Sequence, residues 1–231
     1  MIVAIIAARG GSKRIIGKNL KPFRGKPMIA WPIEAIFGSG LFDHIIVSTD
    51  SAEIAECSRQ YGAETPFIRP PELADDFTPS SDVFLHALQW LEQHNIKPTY
   101  LCCLYPTAPF LTAAVLQDSF RLLDKSGAPG IIPVTTFDFP ILRAFRIDDE
   151  GTLQYNWPEY ASSRSQDLPE LYHDAGQFYW VMAKPFKNSR SLCMPGAKPF
   201  LLPRKYVQDL DTPEDWELAE LMASAMAFGT T

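Results

Sequence analysis

The stretch Ile2-Val3-Ala4-Ile5-Ile6-Ala7-Ala8-Arg9-Gly10-Gly11-Ser12-Lys13-Arg14 governs how the chain is read. Its first six residues form a continuous apolar run rich in Ile and Val, the pattern of a strand buried on both faces of a parallel sheet. A glycine-rich basic turn follows at once. A buried strand feeding such a turn is a recurrent device for binding phosphate: backbone N–H groups converge on the anion and lysines add full charges. Gly10 and Gly11 allow the backbone a close approach to the ligand.

Outward from this stretch the pattern alternates. Residues 27–39 read as a helix closed by Gly40, and residues 45–48 as a second strand. Residues 50–61 read as a helix whose start Asp50 and Glu53 can cap. A short strand is expected at 65–68, a helix at 80–94, a strand at 100–104, a helix at 112–125 and a strand at 131–134. The alternation predicts a three-layer α/β fold of Rossmann-like type with a mostly parallel sheet. Regularity stops at about 136. From there to 172 the chain is rich in proline and aromatics, including Phe137, Phe139, Phe145, Tyr155, Trp157 and Tyr160, with a hairpin expected around Asp148-Asp149-Glu150-Gly151. This excursion is either a surface covered by a second subunit or a flap packed on a core of its own. A strand returns at 177–181, and Asp209-Leu210-Asp211-Thr212-Pro213 leads into a last helix ending at about Ala227. We expect one domain over residues 1–231, with 136–172 inserted into it.

The 231 residues are 46% hydrophobic and 21% charged, an ordinary globular composition. No apolar run reaches bilayer-spanning length, and the basic residues follow the apolar start, the wrong order for a secretory signal, so a cytoplasmic protein without membrane contact is expected. Cys57, Cys102, Cys103 and Cys193 lack metal or disulfide spacing and read as reduced core residues. A net charge of −6 argues against a nucleic-acid binder. Its distribution is uneven: no acidic residue precedes Glu34, and Arg9, Lys13, Arg14, Lys18, Lys21, Arg24 and Lys26 give residues 1–33 a charge of +7. A small anionic ligand, or simply a solvated basic face, accounts for that segment.

Spacing excludes two familiar phosphate loops. The Walker loop requires Gly at the position of Ser12 and Ser or Thr at that of Asn19, and the dinucleotide motif G-x-G-x-x-G is absent from the turn. Asp209 and Asp211 are spaced i, i+2, which puts both carboxylates on one face of an extended segment. Two hard oxygen ligands beside phosphates suit Mg²⁺, although Asp211 also stands where a helix cap would begin. Ser80 and Ser81 read as helix caps or nucleotide contacts. His173 and Asp174 are adjacent, so on a strand they point to opposite faces and do not form a direct pair.

The run from Ala7 to Arg14, together with Gly17-Lys18-Asn19, resembles the signature loop of the CMP-sugar synthetases, the cytidylyltransferases that activate nine-carbon acidic sugars. Val47-Ser48-Thr49-Asp50, Arg69-Pro70-Pro71-Glu72-Leu73-Ala74-Asp75-Asp76, Leu104-Tyr105-Pro106-Thr107-Ala108-Pro109 and Asp209-Leu210-Asp211-Thr212 are similar to further motifs of that family. The resemblance covers nearly the whole chain. It implies a nucleotidyltransferase in which the anomeric hydroxyl of a 2-keto sugar acid attacks the α-phosphorus of CTP and expels pyrophosphate. By resemblance Arg9, Lys13 and Lys18 neutralise the phosphates, and Asp209 and Asp211 hold Mg²⁺. Ala8, Gly10, Gly11, Ser12, Asn19, Arg69, Ser80 and Ser81 contact the nucleotide. Tyr105, Thr107, His173, Asp174 and Tyr179 face the sugar. Arg143, Arg164 and Lys184 are candidates for its carboxylate. The run from Tyr172 to Trp180, and Tyr105 where the family usually has Gln, are most similar to the pseudaminic acid branch found in bacterial surface-glycan pathways; N-acetylneuraminic and legionaminic acids are the alternative substrates. The resemblance also implies a homodimer joined through residues 136–172. From a different class, an inactive nucleotide-binding module stays open.

Overall fold

The computed structural model describes residues 1–226. Strand β1 spans Ile2–Ala7, as its apolar run predicts. The chain then forms a small ribbon, β2 (Pro22–Phe23) with β3 (Lys26–Pro27), before helix α1 (Ala30–Ser39). The helix expected from residue 27 therefore starts three residues later, because Lys26 and Pro27 pair with the preceding strand. Gly40 closes it at φ 64°, a left-handed conformation that suits glycine. Next come β4 (His44–Ser48) and α2 (Ala52–Gln60). Ser51, not Asp50, caps α2 by accepting the Ile54 amide. The strand expected at 65–68 is absent; only Glu64 bridges to Ile46, and Pro66 interrupts the run that follows.

Helix α3 (Ser80–Gln93) begins after Pro79 with no side-chain cap, so neither Ser80 nor Ser81 caps it. Strand β5 (Tyr100–Leu104), helix α4 (Ala113–Ser126, capped by Thr112) and strand β6 (Gly130–Thr136) complete the regular part. The excursion holds one exposed hairpin, β7 (Phe145–Ile147) with β8 (Leu153–Tyr155), and short turns. The chain returns through β9 (Tyr172–Asp174) and β10 (Phe178–Met182) to α5 (Ala183–Ser189), β11 (Lys198–Leu201) and α6 (Pro213–Ala225). Ala227, where the last helix was expected to end, lies outside the described residues.

The central sheet has the order β11-β6-β10-β5-β1-β4, with β9 beside β6. Strands β4, β1, β5, β6 and β11 share one direction; β10 and β9 oppose it. The sheet is therefore mostly parallel, but mixed at its centre. Alternate residues of β1 face two cores. Ala4 and Ile6 join Val47, Cys102, Leu104, Ile131 and Trp180 under α1 and α4. Val3 and Ile5 join Ile46, Leu101, Cys103 and Val181 under α3 and α5. Both faces of β1 are fully covered, which explains why its sequence is apolar at every step. A third cluster sets α6 against the ribbon: Trp216, Ala219 and Leu210 pack on Phe23, Met28, Trp31 and Phe110. The four cysteines are free; Cys102 and Cys103 are buried as expected, whereas Cys57 is half-buried and Cys193 is exposed, not core. No helix among the described residues is long and apolar enough to cross a membrane.

Candidate active site

Strand β1 pairs with β4 on one side and β5 on the other, so the chain order switches at β1, and the carboxyl ends of all three open on one crevice. Ligands of open α/β sheets bind at such a point. The crevice has a volume of about 360 Å³. Among the residues that line it are Arg9, Ser12, Lys13, Lys18, Asn19, Arg69, Ser80, Tyr105, Thr107, Asp209 and Asp211, each singled out from the sequence. Ala8, Gly10, Gly11 and Ser81 do not line it. Ala8 is fully buried, continuing β1 by donating its amide to the Ser48 carbonyl at 2.9 Å.

The phosphate loop is anchored from beneath. Asn19, buried, donates from Nδ2 to the Arg9 carbonyl at 2.9 Å, and its own carbonyl accepts from the Ile29 amide. Its Oδ1 is buried with no partner among the described residues and so is available to a ligand donor. The Gly10 amide, expected to face an anion, instead donates to Asp50 Oδ1 at 2.8 Å. Asp50 is thus a loop anchor and not the helix cap read from the sequence. A Cβ at Gly10 would stand 3.1 Å from the Ser51 Cβ, a tight contact that a larger residue could make only if Ser51 shifted by a few tenths of an ångström.

Cations line the wall. Lys18, with its ammonium largely enclosed, donates to the Leu210 carbonyl at 2.5 Å and lies 3.6 Å from Asp211. Burial lowers its pKa, with Asp211 and Asp209 opposing that shift. Arg14 donates to Asp211 Oδ1 at 2.7 Å, and Arg9 and Lys13 both reach Asp76, at 2.6 and 2.5 Å. Arg14 and Asp76 went unassigned from the sequence. Asp76 lies 63 residues from Lys13, and only the sequence-adjacent acids Asp75 and Asp76 hinted at a partner. Arg69 is 4% exposed, with its guanidinium on the Ser48 hydroxyl and carbonyl; burial lowers its pKa to about 10, so it stays cationic near neutrality. The remaining cations of the basic segment serve packing: Lys21 over Trp216, Lys26 over Trp31, and Arg24 on the Ser224 hydroxyl.

Leu210 is fully buried in the third cluster, which turns Asp209 and Asp211 together toward the crevice. Thr212 and Asp215 form a capping box for α6; Asp215 takes the Asp211 amide at 3.1 Å and leaves the Asp211 carboxylate free to face the cations. Asp211 thus stands just before the α6 cap through its backbone, and that position leaves its carboxylate compatible with a metal as well. Burial, and after it the neighbouring Asp211, raises the Asp209 pKa. Among the described residues no group of three or more His, Cys, Asp or Glu is placed for a metal. The pair fits Mg²⁺ all the same, since this ion completes its shell with waters and substrate phosphates.

The expected sugar-side residues divide. Tyr105 and Thr107 line the crevice, while His173, Asp174 and Tyr179 line a neighbouring cleft that shares Tyr105 as a wall. Tyr179 donates to Asp174 Oδ2 at 2.7 Å and meets Tyr105 edge to face; burial pushes its pKa far up. His173 bonds the Asp174 carbonyl and lies against Phe137, so it is no partner of the Asp174 carboxylate. Gly176, missed from the sequence, lines the crevice and donates to Asp174 Oδ1 at 2.8 Å. Ile132, Val134, Leu192 and Pro199 supply apolar walls of the second cleft, and no local motif pointed to them. Arg143, Arg164 and Lys184 line neither cleft.

A family model described as cytidylyltransferase matches residues 3–190. The chain belongs to the cytidylyltransferase family. It is similar to the pseudaminic acid cytidylyltransferase of Campylobacter jejuni subsp. jejuni, serotype O:23/36, with 39% identity over 95% of each chain. It is also similar to the CMP-N,N'-diacetyllegionaminic acid synthase of Legionella pneumophila, at 32% identity over 95% of this chain and 94% of that one. Among solved structures, CMP:2-keto-3-deoxy-manno-octonic acid synthetase complexed with CTP superposes with a TM-score of 0.69 at 16% identity, over 97% of this chain and 99% of that chain. The last likeness establishes a shared nucleotidyltransferase fold. It agrees with the three-layer architecture derived above.

Proposed function

We propose that this cytidylyltransferase activates pseudaminic acid, converting CTP and the free sugar acid to CMP-pseudaminic acid and pyrophosphate. The observation that carries this reading is a site match joined to a chain match. The crevice gathers cations suited to phosphate and a carboxylate pair, and relatives at 38–39% identity over almost the full chain carry that activity in their names. Identity to the legionaminic acid synthase is lower, at 32%.

In this reading Arg9, Lys13 and Lys18 hold the triphosphate and take up the charge that grows on departing pyrophosphate. Asn19 and Arg69, buried at the base of the crevice, hold the nucleoside end, the Asn19 Oδ1 accepting from it. Asp209 and Asp211 would hold Mg²⁺, which would supply further positive charge to the triphosphate. Tyr105 and Thr107 meet the reacting end of the sugar, while Asp174 and Tyr179 hold the rest of it in the second cleft, so the anomeric hydroxyl is delivered toward the α-phosphorus. We place this reaction in the cytoplasm. We also propose a homodimer through the excursion. No residue from 137 to 172 is fully buried, and Phe139 and Ile147 are 83% and 71% exposed, which supports a covered surface over a flap with its own core.

The test is pyrophosphate release from CTP with pseudaminic, legionaminic and N-acetylneuraminic acids, with EDTA as control. Release with pseudaminic acid alone, abolished by EDTA, is the expected result. Preference for another sugar overturns the substrate, and CTP binding without release from any sugar restores the inactive module.

A further inference from the structure

The crevice is nearly neutral as it stands. Arg9, Lys13, Arg14, Lys18 and Arg69 face Asp75, Asp76, Asp209 and Asp211, leaving a net charge of +1. A nucleoside triphosphate brings about four negative charges near neutral pH. Two of the cations that would meet it, Arg9 and Lys13, are both bound to the single carboxylate of Asp76. That carboxylate sits on a turn that holds its own shape. Asp75 Oδ1 takes the amides of Phe77 and Thr78 at 2.9 and 2.7 Å, the Thr78 hydroxyl donates to the Glu72 carbonyl at 3.1 Å, and Arg9 also donates to the Asp75 carbonyl at 2.8 Å. Asp76 itself is outside these turn-forming bonds and, among the described residues, engages only the two cations.

We propose that Asp76 is a positioning residue that stands in for phosphate oxygens before the nucleotide binds: it keeps Arg9 and Lys13 aligned, gives them up when the triphosphate of CTP arrives, and competes for them again as pyrophosphate leaves. This rests on CTP being the substrate. An anion bridging two cations is a phosphate surrogate in charge and in hydrogen-bond geometry. If Asp76 stayed in place, it would set a carboxylate against the incoming phosphates; its departure exposes two paired donors at once. The arrangement trades nucleotide affinity for release of a product that Arg9, Lys13 and Lys18 would otherwise retain.

The experiment compares Asp76→Asn and Asp76→Ser with the wild-type chain, with CTP titrated at saturating sugar and pyrophosphate as inhibitor. Both variants are expected to lower the KM for CTP and the inhibition constant of pyrophosphate together, roughly two- to fivefold, the size of one exposed ion pair. The gain should shrink as salt rises, because the competing pairs are exposed. Asp76→Glu should restore wild-type values. Damage to a merely structural residue raises KM, so the sign separates the two roles. An unchanged or raised KM for CTP in both variants overturns the proposal while leaving the cytidylyltransferase reading intact. Failure of the wild-type chain to turn over CTP overturns both.

Discussion

Lys13 and Lys18 were read as phosphate-site candidates from local information: both belong to the basic segment that follows a buried strand, and no acid precedes Glu34. Their partners were not. Asp76 and Asp211 come from 63 and 193 residues away and meet the lysines only through the fold. Asp50 was read as a helix cap because it precedes α2, yet Ser51 takes that role and Asp50 turns back to the Gly10 amide. At this scale Lys13→Ala and Asp211→Ala are each expected to reduce turnover at least about a hundredfold, as loss of charge stabilisation does. Circular dichroism and the melting temperature should stay near wild-type, because the Lys13 side chain is 77% exposed and that of Asp211 is 35% exposed. Tyr179→Phe removes the hydroxyl donor to Asp174 and should raise the KM for the sugar while leaving that for CTP unchanged. A change in the CTP constant alone would place Tyr179 on the nucleotide side.

Elements were legible in proportion to their length and burial. Strands β1 and β5 match their expected ends residue for residue, because an apolar run covered on both faces has abrupt limits. The opposed direction of β10 was not readable: five apolar residues look the same whichever way they run. Helix α5 and strand β11 are short and contain Pro185 and Pro199, which erase periodicity. The last helix illustrates how an element sets a site. Leu210 inserts into the cluster around Phe23 and Trp216, and the Thr212–Asp215 capping box fixes the start of α6, so the two aspartates are aimed by packing on either side of them. Thr212→Ala is expected to cost about 1 kcal/mol of stability, as loss of a helix cap does. Urea unfolding monitored by circular dichroism measures it, and an equal midpoint for variant and wild type would show that the cap is not a source of rigidity.

For the whole molecule, fold class and the position of the crevice followed from the sequence, since alternating strands and helices leave few arrangements. Of the excursion, the hairpin around Asp148–Gly151 was legible from its turn residues and forms as β7 and β8, whereas the path of the rest was not, because a segment with no buried residue between 137 and 172 carries no core pattern to read. Multi-angle light scattering should give twice the mass of one 25.9 kDa chain. Ile147→Asp combined with Leu153→Asp, on the exposed hairpin, should return it to a monomer with an unchanged circular dichroism spectrum. A wild-type monomer, or a double variant that remains dimeric, contradicts the proposed interface.

The reversal of β10 has a consequence for how such a chain can change over time. Because β10 runs against β6, the polypeptide departs after Thr136 and comes back before Phe178 at the same end of the sheet, the end where the crevice opens. Both feet of the excursion therefore stand on the rim, and between Phe137 and Leu171 no residue is buried in the interior or paired with the central sheet, which the chain rejoins at β9. Lengthening, shortening or rewriting that stretch leaves the nucleotide machinery undisturbed while altering what stands beside the incoming sugar. The antiparallel strand works as a socket: a stable base on one side of it, and on the other a fitting that can be exchanged for a different acceptor.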